Sequence, residues 1–297
     1  VEIAVRRIIA RQGVDVILVH TELAAIGVTG IAKSMGIPVV VVLHGINTAP
    51  RLNTPAQLNI VGKTLASCDR VVLVGEPLAE YFFPIVGRND HFRVVHNGFR
   101  LPSLGNGKLP SSWSDKVHFI SVSNLHEGKG IELNLQALGR LYENNIRNWV
   151  YTIVGDGWER LALEKVTEEL GIAGQVKFIG AVSHDEVYQY LNDADVFVLP
   201  SYREAFGIAY LEAMACGLLT IGVLGQGPAA FINDHETGML IPPRSVPALL
   251  DCLEEIISKP EEMQLIADAG RKFVRTEFTW QRHAENLTKV LQEVVAS

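Results

Sequence analysis

Two carboxylates, Glu204 and Glu212, lie within the run Pro200-Ser201-Tyr202-Arg203-Glu204-Ala205-Phe206-Gly207-Ile208-Ala209-Tyr210-Leu211-Glu212-Ala213-Met214-Ala215-Cys216-Gly217. An apolar strand pattern, Val196 to Leu199, precedes the run, and another, Leu218 to Val223, follows it. Gly207 to Cys216 is rich in good helix formers and stops at Gly217, where a left-handed cap favours glycine. Strand, loop, helix and strand make the unit of a parallel α/β sheet, whose ligands lie outside the carboxyl ends of the strands, where this loop falls. Glu204 precedes the helix and Glu212 lies inside it, so the two are separated by roughly 10 Å along the axis at a rise of about 1.5 Å per residue. That exceeds the spacing of about 5 Å in a retaining glycoside hydrolase pair. It suits a ligand with hydroxyls at both ends and an anion between them, because the helix N-terminus offers free N–H groups and positive dipole. A nucleotide sugar, as hexose, diphosphate and ribose, has that shape. The plain alternative is one carboxylate at a helix start for dipole reasons and one on a solvated face.

Other candidates sit at strand ends. Lys129 lies in Ser123-Asn124-Leu125-His126-Glu127-Gly128-Lys129-Gly130, after the strand pattern Val117 to Val122. A lysine beside a leaving diphosphate stabilises charge that grows in the transition state, whereas a surface lysine is ordinarily only solvated. His44 ends the apolar stretch Pro38 to Leu43, and Asn47 and Thr48 follow it in a loop. A lone histidine is more often structural or solvated. Gly157 closes Gly155-Asp156-Gly157 after the strand Val150 to Val154; it allows a backbone to approach a ligand, and a tight turn is the default reading. Asp193-Ala194-Asp195 has the form of a metal-binding pair but reads as a helix end and strand start, so no metal is expected. Ser183 to Glu186 is a capping box.

The elements that carry these residues alternate. Helical spacing covers Val1 to Gln12, Leu23 to Met35, Gln57 to Ser67 and a start at Pro77; strand patterns cover Val14 to Val19, Pro38 to Leu43, Arg70 to Val74 and Phe92 to Val95. Beyond Leu101 to Ser114, a linker with Pro, Gly and Ser, the alternation resumes through Val176 to Gly180 and Gly238 to Pro243. It closes with helices Val246 to Ile257, Pro260 to Glu277 and Gln281 to Val295. The fold expected is α/β with two Rossmann-like parallel-sheet domains: 1–105, 106–279, and a helix over 280–297 that returns to the first domain.

Composition agrees with a globular protein: 297 residues, 48% hydrophobic and 20% charged. No apolar run approaches the ~20 residues of a membrane helix. Cys68, Cys216 and Cys252 show no metal or disulfide spacing. The formal charge is −7 overall, which argues against a nucleic-acid partner. It is uneven, with ten basic and seven acidic residues before position 106. That mildly basic half leaves open peripheral contact with an anionic membrane surface, and an ordinary solvated surface explains it equally.

The run 200–217 resembles the Glu-x7-Glu motif of family 4 (GT4) glycosyltransferases, retaining enzymes of the two-domain GT-B fold. The pattern Pro-Ser-x-x-Glu-x-Phe-Gly-x-x-x-x-Glu-Ala-Met-Ala-x-Gly is present at every fixed position. The resemblance implies transfer of a hexose from a nucleotide diphosphate sugar (UDP- or GDP-hexose) to the hydroxyl of a sugar or lipid-linked acceptor, with no cofactor required. It places such work in cell-surface polysaccharide or glycolipid synthesis, in the cytoplasm or at the inner face of the membrane. It assigns Glu212 to the ribose hydroxyls, Glu204 with Phe206, Gly207 and Ile208 to the hexose, and Lys129 to the diphosphate. His44 matches the family's Val-x-x-His, which reaches the donor hexose or acceptor. Gly180 and Val182 fall in the segment that reads the base, and Gly157 in the turn beside it. Retention would follow front-side displacement, the leaving phosphate helping to take the acceptor proton.

The segment His96-Asn97-Gly98 resembles the family's Pro-Asn-Gly at the domain crossover, and a plain turn explains it nearly as well. The sequence departs from the family at two motifs: Asn124 stands where an arginine is usual, and Gly225-Gln226-Gly227-Pro228 lacks the glutamate that commonly follows the glycine loop. The strands before residue 105 match only the second half of the family's N-terminal domain, so a chain lacking the first part of that domain is expected. A non-catalytic nucleotide-sugar-binding protein or truncated fragment therefore remains a rival, as does another GT-B enzyme such as a sugar-nucleotide epimerase.

Overall fold

The structure, a computed structural model, describes residues 2–45, 54–87, 90–100, 113 and 116–296. The linker expected over 101–114 and the candidates Asn47 and Thr48 lie outside these, apart from residue 113. Contacts divide the chain into two units, Val1–Gly98 with Trp280–Ser297, and Phe99–Thr279.

The first unit has a parallel sheet ordered β1 (Ile17–His20), β2 (Val39–Leu43), β3 (Arg70–Leu73), β4 (Phe92–Val94). Helices α1 (Glu2–Gln12), α2 (Glu22–Ser34), α3 (Pro55–Ser67) and α4 (Pro77–Val86) intervene. All five residues of β2 are buried, which is why the sequence there is a continuous apolar run without alternation. β1 begins at Ile17, later than the apolar pattern from Val14 suggests, because Asp15 is exposed and pairing with Val39 starts at Ile17. Thr54 and Gln57 form a reciprocal capping box at α3. α4 runs past Pro84 and stops at Gly87, whose φ of 72° provides the left-handed cap. The last helix, α11 (Trp280–Val295), belongs to this unit: Glu293 meets Arg93 at 3.2 Å and Arg70 at 3.6 Å.

The second unit holds β5 (Val117–Val122), β6 (Trp149–Val154), β7 (Val176–Gly180), β8 (Val196–Val198), β9 (Leu219–Val223) and β10 (Met239–Ile241), all parallel, in the order β10-β9-β8-β5-β6-β7. Chain order reverses between β5 and β8, and the crevice at the carboxyl ends of such a pair is where doubly wound sheets take their ligands. The connecting helices are α5 (Ile131–Glu143), α6 (Arg160–Glu169), α7 (His184–Asn192) and α8 (Ile208–Cys216), followed by α9 (Val246–Ser258) and α10 (Pro260–Glu277). Beneath the reversal, a buried polar network fixes four elements. Asn134 Nδ2 of α5 donates to the Tyr151 hydroxyl of β6 at 2.7 Å, which meets Ser121 Oγ of β5 at 2.7 Å; Ser121 in turn donates to the Val198 carbonyl of β8. Asp195 uses its carboxylate to accept the His118 N–H at 2.9 Å, tying the start of β8 to β5. Ser183 and Glu186 form the expected capping box at α7. Among the described residues no helix is long and apolar enough to cross a membrane.

Candidate functional site

Lys129 and Glu204 come together at the reversal. Lys129 follows β5 in a short 3-10 turn, Glu127–Lys129, and Glu204 follows β8; the Lys129 ammonium donates to Glu204 Oε2 at 2.8 Å. Both side chains are largely enclosed, 19% and 14% exposed, so their attraction is screened less than that of a surface pair. The two loops are stitched by backbone. The Gly128 carbonyl accepts both Ser201 Oγ and the Tyr202 N–H at 3.0 Å. A Cβ at Gly130 would lie 2.5 Å from the Pro200 carbonyl oxygen, and its φ of 70° is left-handed, so only glycine closes this contact. From the far side, Gln226 Oε1 accepts the Glu204 N–H at 3.0 Å and the Gly227 N–H donates to the Glu204 carbonyl at 2.9 Å. Glu204 is thus held by the loops after β5 and β9 as well as its own.

Gly207, with φ of 96°, caps α8 without any side-chain hydrogen bond to the helix start. First-turn N–H groups of this helix are therefore the ones a bound anion would meet. A side chain at Gly207 would approach Tyr210 at 2.7 Å and Glu204 Cγ at 3.3 Å. Phe206 is buried and anchored in an aromatic cluster, 5.5 Å from Phe231 and 6.1 Å from Phe278 between ring centroids, while Ile208 is exposed.

Glu212 is only 6% exposed. Burial pushes its carboxyl above the ordinary glutamate range, an effect opposed by His184 at 3.3 Å and by Tyr188, whose hydroxyl lies 3.3 Å from Oε1. The same hydroxyl donates to the Arg100 carbonyl at 2.6 Å. A carboxyl whose pKa is raised on folding supports stability below its unfolded value, about 4.3. That support is lost as pH rises from there through the folded value. Glu212→Gln relieves the penalty while keeping a hydrogen-bonding side chain of the same size beside the Tyr188 hydroxyl. The ligand-free variant is therefore expected to be more stable than the wild type at pH 7, by roughly 1 kcal/mol in urea unfolding, and the difference should shrink toward pH 4.

The remaining predicted residues occupy neighbouring loops. Asn124 is exposed just past β5. The close approach that Gly157 permits is to protein backbone: a Cβ there would lie 2.2 Å from the Leu125 carbonyl oxygen. Gly180 has φ of 89° beside Arg160, and Val182 is half-buried one residue before the α7 cap. His44 lies in the first unit, just after β2. Its Nε2 is 2.8 Å from Nδ1 of His20, and the two rings lie edge to edge and nearly coplanar, with centroids 5.1 Å apart. Partial burial, then His20 and His283, hold its pKa below the usual histidine value. Sequence reading missed His20, His184, Tyr188 and Gln226. His20 ends β1 as His44 follows β2, a parallel that strand-end position alone could have flagged.

Residues 110–273 match the family described as "Glycosyl transferases group 1", and residues 2–101 match "Glycosyltransferase Family 4". An uncharacterized glycosyltransferase of Methanocaldococcus jannaschii is 27% identical, over 78% of this chain and 62% of its own length. The phosphatidylinositol N-acetylglucosaminyltransferase gpi3 subunit of Schizosaccharomyces pombe is 23% identical, over 97% of this chain and 63% of its own. The chain thus spans about three fifths of the length of these curated relatives. Among solved structures, HepE of Anabaena in complex with UDP aligns over 93% of this chain and 78% of its own, with a TM-score of 0.81 at 20% identity. The first of the two family matches alone covers more than half of the chain, and the parallel-sheet units are those of GT-B proteins; this protein belongs to the glycosyl transferases group 1 family.

Proposed function

We propose that this chain carries the donor site of a retaining glycosyltransferase, which moves a hexose from a nucleotide diphosphate sugar to a hydroxyl of a sugar or lipid-linked acceptor. The observation that carries the reading is the enclosed Lys129–Glu204 pair at the sheet reversal. With ammonium and carboxylate 2.8 Å apart, a ligand engaging both must present an anion and hydroxyls within a few ångströms of each other. A hexose joined at its reacting carbon to a diphosphate does so. Lys129 and the first-turn N–H groups of α8 then face charge that grows on the leaving diphosphate, the preorganised electrostatics that is usually the largest catalytic contribution. Glu204, with the Phe206–Ile208 backbone, holds the hexose hydroxyls, and Glu212 accepts those of the ribose, two charge-assisted hydrogen bonds to one carboxylate. Gly180 and Val182 border the base, with Asn124 beside the diphosphate. His44 is assigned by the family resemblance to the donor hexose or acceptor. Retention follows if the departing phosphate oxygen takes the acceptor proton as the new bond forms on the same face. The relatives support a setting in polysaccharide or glycolipid synthesis: one is named as a subunit of a phosphatidylinositol N-acetylglucosaminyltransferase, and another for lipopolysaccharide core biosynthesis. HepE of Anabaena has been seen with UDP-glucose, which favours a UDP-hexose donor. Cytoplasmic work with peripheral contact at a membrane fits lipid-linked acceptors.

A thermal-shift panel of UDP-, GDP- and ADP-hexoses tests the donor class. One nucleotide sugar is expected to stabilise the protein by about 2.7 kcal/mol at a hundred times its dissociation constant. No shift with any of them contradicts the reading.

Asn124 favours one second reading, a protein that binds nucleotide sugars without turning them over, because it brings no charge to the diphosphate. Transfer or donor hydrolysis by the full-length protein, lost in Glu204→Ala, decides for the enzyme.

A further inference from the structure

We propose that His20 is a positioning residue for His44, its hydrogen bond holding the His44 imidazole in one tautomer and one orientation. This rests on the reading of His44 as a group that touches the ligand.

The arrangement follows from strand register. His20 is the last residue of β1 and pairs with Val42 of β2. His44 lies two residues beyond Val42, so the pleat returns its side chain to the same face. The rings accordingly meet edge to edge and nearly coplanar, 17° between planes and 5.1 Å between centroids, with His20 Nδ1 and His44 Nε2 at 2.8 Å. A bond between two imidazole nitrogens carries one proton, and the nitrogen that supplies it decides the tautomer of the other ring.

Partial burial, then His20 on β1 and His283 on α11, hold the His44 pKa below the usual histidine value. His283 is itself fixed, its Nδ1 2.8 Å from the His96 carbonyl oxygen, and His96 Nε2 lies 3.0 Å from Glu76 Oε1. In the proposed arrangement Nδ1–H of His20 donates to Nε2 of His44. His44 then carries its own proton on Nδ1 and offers a hydrogen-bond donor to a ligand oxygen. Rotation of the ring would break the bond.

The test combines ring-nitrogen NMR of ¹⁵N-labelled protein with transfer kinetics on wild type, His20→Phe and His20→Asn. In the wild type, His44 is expected to show protonated Nδ1 and acceptor-type Nε2. His20→Phe keeps an aromatic ring without the nitrogen and should return His44 to a tautomer mixture. Its kcat should fall by about tenfold to a hundredfold with little change in donor KM. The asparagine amide stands near the position of Nδ1 and should recover both signals. A wild-type tautomer mixture, or His44 signals and kcat unchanged in His20→Phe, overturns the proposal. If the NMR changes as expected but no form of the protein transfers sugar, the positioning stands and the enzymatic reading fails, so the two are told apart.

Discussion

Replacing Lys129 by alanine is expected to lower the rate of sugar transfer by about a hundredfold to a thousandfold, the usual cost of deleting one preorganised contact to a developing charge. The size follows from where the ammonium sits. It is 19% exposed and held 2.8 Å from Glu204, on a loop locked by the Gly130–Pro200 contact, so little reorganisation accompanies the reaction and solvent screens it weakly. Asn124 leaves no cation at the position where the family carries arginine, so more of the stabilisation falls on Lys129. Initial rates with saturating donor, beside a near-ultraviolet circular dichroism spectrum to confirm the fold, measure the effect. Lys129→Arg keeps the charge but changes its geometry and should fall between wild type and alanine. A Lys129→Ala protein that turns over at the wild-type rate contradicts a diphosphate role for this residue.

The second large effect is structural and lies in the loop after β9. Gly227→Ala is expected to destabilise the chain by roughly 3 kcal/mol, the upper part of the range for forcing extra volume into a packed site. A Cβ at Gly227 would sit 2.4 Å from both the nitrogen and the Cα of Phe206 and 2.5 Å from its carbonyl oxygen. None of these can swing aside, because Phe206 is buried in its aromatic cluster. The same displacement breaks the Gly227 N–H bond to the Glu204 carbonyl, so donor binding should weaken along with stability. Gly225, two residues earlier, is the control. Its φ is 73° and nothing lies within 4 Å of an added Cβ, so Gly225→Ala carries only the left-handed strain of about 1 kcal/mol. Urea unfolding of the two variants separates crowding from backbone strain; equal losses would refute the packing argument.

Much of this was legible in the residues. Continuous apolar runs such as Val39–Leu43 announced buried parallel strands, and the glycine at 217 marked a helix end through the left-handed geometry it adopts. Glu204, Glu212 and Lys129 were readable because strand-end position and helix-former content locate them without tertiary information. What escaped is what only packing creates. Gln226 grips the Glu204 backbone because β9 lies beside β8, a sheet order the sequence does not state. Tyr188 and His184 reach Glu212 because α7 packs on α8. The His20–His44 hydrogen bond depends on a strand register that a shift of one residue would have abolished. Gly157 also changed meaning, since the neighbour that excludes a side chain there is the Leu125 backbone.

The central claim, that Lys129 and the α8 N-terminus grip the diphosphate of a nucleotide sugar, is tested most directly by calorimetric titration of paired nucleotides. With the nucleotide that gives the largest thermal shift, the diphosphate is expected to bind at least about tenfold more tightly than the monophosphate, a difference of about 1.4 kcal/mol. That gap should largely close in Lys129→Ala. Equal affinities in the wild type, or a gap untouched by removing the ammonium, would contradict the account.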